Sequence, residues 1–202
     1  GCVNDKGEAV DWFVAQKLPA GGEYYMFEST SESFSKSKED ISVGGDAIDQ
    51  TMESLYSYKS GTNAHGMWND QPTKEHAAGS TYAHSKGVFH FDEKQGFYLI
   101  HSMPAFPTTK DEGYDELPDT TYGQSFMCIT MKTSEFDKLG KDLQIMHAYP
   151  YDFNIDDDLK KTVPNMVDAM DKVEDRDSLT TETEFTTLGG KKFKHFAKGR
   201  DW

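Results

Sequence analysis

Residues 84–107 read HSKGVFHFDEKQGFYLIHSMPAFP, and the fold depends on how this stretch is parsed. Val88-Phe89-His90-Phe91 is an apolar run of strand length, and Phe97-Tyr98-Leu99-Ile100 is a second. Asp92-Glu93-Lys94-Gln95-Gly96 between them supplies turn chemistry, so the unit predicts a β-hairpin. On extended backbone, residues two apart share a face at about 7 Å spacing. His84 and Lys86 are therefore expected to present an imidazole and an ammonium side by side. Such a pair suits a phosphodiester: an imidazole attacks phosphorus or moves a proton in neutral or mildly acid solution, and an ammonium holds the non-bridging oxygens. Surface strands also carry such pairs with no chemistry attached, and the triplet alone leaves both readings open.

Working outward toward the N-terminus, Val10 to Ala15 and Tyr24 to Phe27 read as strands separated by Ala20-Gly21-Gly22. The Ser/Glu/Lys stretch from Ser29 to Lys38 has little to bury and reads as an exposed loop. Asp46 is placed to cap a helix whose Ile48, Met52, Leu55 and Tyr56 form one apolar stripe. Met67 to Asp70 reads as a strand stopped by Pro72, and residues 73–82 as the loop leading to His84. Beyond the hairpin, Pro104 and Pro107 open a loop rich in Asp, Glu and Pro that runs to Tyr122. Ser125 to Met131 is a strand, followed by Thr133-Ser134 as a cap and a helix carrying Phe136, Leu139 and Leu143. Leu159 to Val173 has a helical pattern, with Pro164 either breaking it or starting a second piece. Thr180 to Thr187 is β-prone, and Gly189-Gly190 turns the chain into KKFKHFAKGR, where five basic residues interleave with Phe193 and Phe196. That segment is either a phosphate-contacting strand, with Lys191, Lys192, Lys194 and Lys198 as the contact candidates, or a charged edge strand protected from aggregation. The strand, helix, strand rhythm argues for an α/β fold.

Composition bounds the function. The chain has 202 residues with 36% hydrophobic and 13% aromatic content, enough for one sizeable core. No apolar run is long enough for a membrane helix, and GCVNDKG at the start lacks the apolar segment of a signal peptide. The chain is thus either cytosolic or has already lost its signal, and no membrane partner is expected. With 35 acidic against 21 basic residues the net charge is −14 and the pI about 4.8. A polyanion is repelled at neutral pH, whereas protonation of carboxylates and of the seven histidines in acid brings the net charge toward zero. His90, His101 and His147 show no zinc or calcium spacing, and phosphate-loop and Gly-x-Ser-x-Gly signatures are missing. No metal and no cofactor are expected. The two cysteines, Cys2 and Cys128, are either a cross-link from the N-terminus to a core strand or two unrelated buried thiols.

Six blocks, HSKGVFHFD with GFYLIHSMPAFP, YGQSFMCIT at 122–130, VDWFVAQKLP at 10–19, MWNDQP at 67–72 and KHFAKGRDW at 194–202, resemble the N-terminal half of the deoxyribonuclease II family, divergent members of the phospholipase D superfamily. The resemblance runs through the whole chain in the family's order. It implies a phospholipase D-like mixed β-sheet flanked by helices, with residues 1–202 forming one lobe of a pseudo-twofold pair. It implies an acid, metal-independent endonuclease acting on DNA through a phospho-histidine and leaving 3′-phosphate ends. His84 would be the nucleophile and Lys86 its phosphate-binding neighbour, supported by Asp92 as the local orienting carboxylate. His101 of the His-Ser-x-Pro block, on the facing strand of the hairpin, is either a supporting neighbour of His84 or, as the favoured reading, a hydrogen-bonded structural histidine. The resemblance also implies a Cys2–Cys128 disulfide and a lysosomal or secreted setting.

The family pairs two His-x-Lys motifs, and this sequence has only one. The chain therefore reads as the N-terminal portion of a longer enzyme. The C-terminal half of the same chain, or a second subunit, would complete the site. The alternative is a secreted relative that has lost catalysis and binds nucleic acid or a host partner.

Overall fold

The computed structural model describes residues 1–59, 61–72, 78–115 and 121–202. Parts of two expected loops, residues 73–77 and 116–120, lie outside the described residues. In chain order the elements are β1 (Cys2–Val3), β2 (Ala9–Val10), β3 (Trp12–Lys17), β4 (Glu23–Glu28), β5 (Ser35–Asp40), α1 (Ala47–Ser57), β6 (Asn63–Asn69), β7 (Lys86–Asp92), β8 (Gln95–His101), β9 (Gln124–Lys132), α2 (Glu135–Met146), β10 (Pro150–Ile155), α3 (Asp157–Lys160), α4 (Pro164–Met170), β11 (Thr180–Thr186) and β12 (Lys192–Lys198).

Eight strands form one sheet in the order β10-β6-β7-β8-β9-β3-β4-β5, while β1-β2 and β11-β12 are small separate ribbons. The expected hairpin is β7-β8, paired from Gly87 with Ile100 to Phe91 with Gly96. Asp92 closes its turn, its Oδ1 accepting from the backbone N–H groups of Lys94 and Gln95.

The expectation of a mixed sheet is corrected, because every pairing in the sheet is antiparallel. The strand, helix, strand rhythm is real. However, β9-α2-β10 joins two strands separated by β8, β7 and β6, and β5-α1-β6 joins strands near opposite edges. Like-directed strands are linked by helices but never become neighbours.

Side-chain alternation divides the core between the two faces of the sheet. On one face Met67, Val88, Phe97 and Leu99 pack with Ile48, Met52 and Leu55 of α1. On the other, Trp68, Phe89, Phe91, Tyr98 and Met131 pack with Phe136 and Leu139 of α2 and Met166 and Met170 of α4. Asp46 caps α1 as expected, accepting from Ile48 and Asp49. Pro164 starts α4. Its ring needs no N–H partner at a first helical position.

Two strands of the eight-stranded sheet escaped the sequence reading. Ser35–Asp40, expected as loop, is the sheet-edge strand β5, whose side chains are mostly exposed and so carry no apolar alternation. Edge strands are commonly polar in this way, which limits edge-to-edge aggregation. Likewise β10 is the other edge, paired with β6 through a register shift. Cys2 and Cys128 are joined by a disulfide that ties β1 to the central strand β9. None of the helices among the described residues is long and apolar enough to cross a membrane.

Candidate active site

The antiparallel pairing of β6 with β7 builds the site. Asn69 lies opposite Lys86 and Trp68 opposite Gly87, so the residue just past β6, Asp70, arrives beside the residues just before β7. Gly87 is required by this crossing: a Cβ there would stand 2.2 Å from the Trp68 ring. With the indole laid over the glycine, its Nε1–H donates to Ser85 Oγ at 3.1 Å. Ala83 N–H donates to the His147 carbonyl at 3.0 Å. Ser85 and Ala83, which flank His84, are thus both fastened.

Asp70 holds both members of the His-x-Lys triplet. Its Oδ2 lies 2.7 Å from His84 Nδ1, and its Oδ1 accepts from Lys86 Nζ. Burial pushes the Asp70 carboxyl up. Hydrogen bonds and charge from Lys86 and His84 outweigh that and hold it below the ordinary carboxylate range. An ionised carboxylate can only accept, so Nδ1 of His84 carries a proton, and in its neutral form the imidazole has its lone pair on Nε2. The His84 side chain is 80% exposed whereas that of Lys86 is 3% exposed. The expected side-by-side presentation is therefore modified. β7 begins at Lys86, His84 precedes the strand, and the imidazole faces outward while the ammonium is covered against Asp70.

The structure does not bring Asp92 to this site. Asp92 lies at the opposite end of β7, six residues or about 20 Å along the strand from Lys86, and serves the turn. His101, two residues beyond core-facing Leu99, shares a face with Lys86, which lies two residues before Val88. Its Nδ1 accepts from Met103 N–H, its ring stacks on Phe126, and its buried Nε2 finds no partner among the described residues. Burial and then the Lys86 charge push its pKa down to about 3. It is therefore a neutral core histidine whose unfilled Nε2–H lies on the face carrying Lys86.

The basic candidates separate. Lys192 and Lys194 are ion-paired across the β11-β12 ribbon with Glu184 and Glu182, and Lys191 sits in the turn of the ribbon. Lys198, at the far end of β12, lines a cleft of about 360 Å3 shared with His84. Sequence reasoning missed Asp70. The signal was present in Asn69-Asp70 at the end of a strand that pairs with Lys86, but the register of β6 on β7 is needed to read it.

With this geometry in view, the Deoxyribonuclease II family profile matches residues 1–202. The chain is 31% identical to rat deoxyribonuclease-2-alpha and 32% identical to human deoxyribonuclease-2-beta, each over 98% of this chain and 61% and 58% of the relative. It is 30% identical to plancitoxin-1 of Acanthaster planci over all of this chain and 60% of that protein. The chain thus spans about three fifths of the length of these curated relatives. A match along the whole chain, with the His-x-Lys triplet seated on a shared carboxylate, makes it a member of the deoxyribonuclease II family.

Proposed function

We propose that this chain supplies one half of an acid endodeoxyribonuclease site that cleaves DNA without a metal. The observation that supports this best is the Asp70 carboxylate, which fixes the tautomer of an exposed histidine and holds the buried lysine beside it in an ion pair. Nε2 of His84 attacks the phosphorus of a phosphodiester. The N–P bond forms as the P–O5′ bond breaks, and the departing 5′ oxygen takes a proton from a second histidine. That second histidine belongs to another His-x-Lys motif in the rest of a longer chain, or to a second copy. Water then attacks the phosphorus, the N–P bond breaks, and a 3′-phosphate end leaves with His84 restored.

Lys86 anchors Asp70 and supplies positive potential at the captured phosphate, and His101 supports Lys86 from the same sheet face. Asp92 has no part in the chemistry. In a chain of net charge −14, acid pH reduces the repulsion of DNA, and the disulfide suits a lysosomal or secreted setting.

The test is supercoiled-plasmid nicking by the intact gene product in EDTA at about pH 5, where a reduced net negative charge lessens the repulsion of DNA. His84→Ala should abolish nicking, and the wild-type product ends should resist polymerase extension until a phosphatase removes the 3′-phosphate. Nicking that needs a divalent metal, or that survives in His84→Ala, would refute the mechanism. Binding of DNA or another partner with no cleavage would instead identify an inactive relative.

A further inference from the structure

Asp70 can serve His84 and Lys86 together only if the backbone that carries it is held in place, and it lies one residue past the end of β6. The groups on either side of it supply the hold. Asn69 is fully buried, lies opposite Lys86 in the register of β6 on β7, and donates its backbone N–H to the Tyr149 carbonyl at 3.1 Å. Its side-chain Oδ1 accepts from the Gln71 N–H at 2.8 Å, which closes a turn of the Asx kind over Asp70. Its Nδ2 donates to the carbonyls of Met103 and Phe106 at 3.1 and 2.9 Å. The Gln71 carbonyl in turn accepts from the Ala105 N–H at 2.7 Å.

This arrangement calls for a carboxamide. One side-chain atom must accept while the other offers two hydrogens, a set carried only by Asn and Gln, and the short turn over Asp70 needs the shorter of the two. A leucine of similar size would leave the Gln71 N–H and two carbonyls without this partner. Those carbonyls belong to a turn braced by the core. Met103 and Phe106 are buried, the His101 ring packs edge-on against Phe106 at 5.3 Å, and Ala105 is held in the left-handed region at φ 52°. The connection from α2 to β10 steadies both members of the site. Its His147 carbonyl accepts from Ala83, just before His84, and its Tyr149 carbonyl accepts from Asn69, just before Asp70. Imidazole and carboxylate are thus hung from one segment, and the Asn69 amide completes the attachment of the carboxylate.

We propose that Asn69 is a positioning residue of the nuclease site: its amide sets the turn at Asp70 and, through that carboxylate, fixes the Nδ1–H tautomer of His84 and the ion pair of Lys86. This rests on the reading of His84 as the nucleophile. Being fully buried, Asn69 acts only through Asp70. A misplacement of about 1 Å in such a constellation costs about 100-fold in turnover.

The experiment follows plasmid nicking by the intact gene product in EDTA over a range of DNA concentrations and pH. It also records the melting temperature and the nitrogen NMR spectrum of the histidines in mildly alkaline solution, where an ordinary imidazole is neutral. His84→Ala assigns the His84 signals. Asn69→Ala should lower kcat about 10- to 100-fold with KM nearly unchanged, and should move the His84 proton from Nδ1 toward Nε2. Asn69→Asp keeps the acceptor for Gln71. Ionised, its second oxygen faces two carbonyls and repels them; protonated, it donates to one of them. Its activity relative to wild type should therefore rise as the pH falls. The other titratable groups are the same in both proteins, so that ratio isolates position 69.

A folded Asn69→Ala protein with wild-type kcat, or with His84 still protonated at Nδ1, overturns the proposal. If Asn69→Ala does not fold, an Asn69→Asp ratio that is flat across pH overturns it. A wild type that does not nick overturns the nuclease reading instead, and the NMR comparison then decides by itself whether Asn69 seats Asp70 on His84.

Discussion

Replacing Asp70 by Asn removes the charge that His84 and Lys86 share and tests the geometry of the site at its joint. Two effects follow. The Lys86 side chain is 3% exposed and the Asp70 side chain 16%, so the variant leaves a covered ammonium without its counter-charge. Truncating one member of a buried ion pair costs about 3–5 kcal/mol; water reaches Asp70 and the amide keeps one oxygen, so about 2–3 kcal/mol is expected. The second effect is on the tautomer. A carboxamide can donate to Nδ1 of His84 and draw the ring proton to Nε2, removing the lone pair that attacks phosphorus. Loss of a tautomer-fixing carboxylate lowers turnover by about 10²–10⁴-fold in a comparable histidine system. The assays are plasmid nicking in EDTA and urea unfolding of the same preparations. Asp92→Asn is the control: it touches only the hairpin turn, so nicking should be unchanged and stability lower by about 1 kcal/mol at most. A folded Asp70→Asn protein that nicks within a few-fold of wild type, or an Asp92→Asn protein that loses activity instead, would refute the reasoning.

The buried histidines set a cost on acid stability. Burial pushes His101 to about 3 and His90 to about 4, so the unfolded chain binds their protons first as pH falls from about 6.5. Stability should therefore drop through that window by up to about 1.4 kcal/mol per pH unit for each group. His101→Gln should flatten the slope seen in urea midpoints between neutrality and about pH 4. An unchanged slope would mean that His101 is not held neutral. Cutting the cross-link with Cys2→Ser and Cys128→Ser opens a loop of 126 residues. It should lower the unfolding free energy by about 4–5 kcal/mol, and a loss below 1 kcal/mol would show that the N-terminal segment is ordered by its hydrogen bonds alone.

What was legible in the sequence was what carries its own periodicity. Val88 to Phe91 and Phe97 to Ile100 are apolar on both faces because β7 and β8 lie mid-sheet with a helical layer on each side. The turn residues between them fix the hairpin. The stripe of α1 and its Asp46 cap were legible for the same reason. The edge strands were not: the side chains of β5 are mostly exposed, and β10 begins at Pro150 and carries exposed Phe153. Pairing with a neighbour's backbone makes them strands, and no side-chain pattern records that.

The site divides along the same line. His84 and Lys86 are adjacent in sequence and were found. Asp70 lies fourteen residues before His84, and Lys198 lies in the separate β11-β12 ribbon. Asp70 meets His84 only through strand register, and Lys198 shares its cleft only through docking of the ribbon. Of the basic block, Lys192 and Lys194 are ion-paired with glutamates diagonally across the ribbon, a pairing that emerges only once the turn at Gly189-Gly190 sets the register.

The most direct measurement of the central claim is isolation of the covalent intermediate. The intact protein would be acting on an oligonucleotide labelled at the scissile phosphate, with the reaction stopped in base, where phospho-histidine survives, and the labelled peptide sequenced. The expected result is label on His84, lost on acid treatment and missing from His84→Ala. Steady cleavage with no label on His84, or with label on a different residue of this chain, would contradict it.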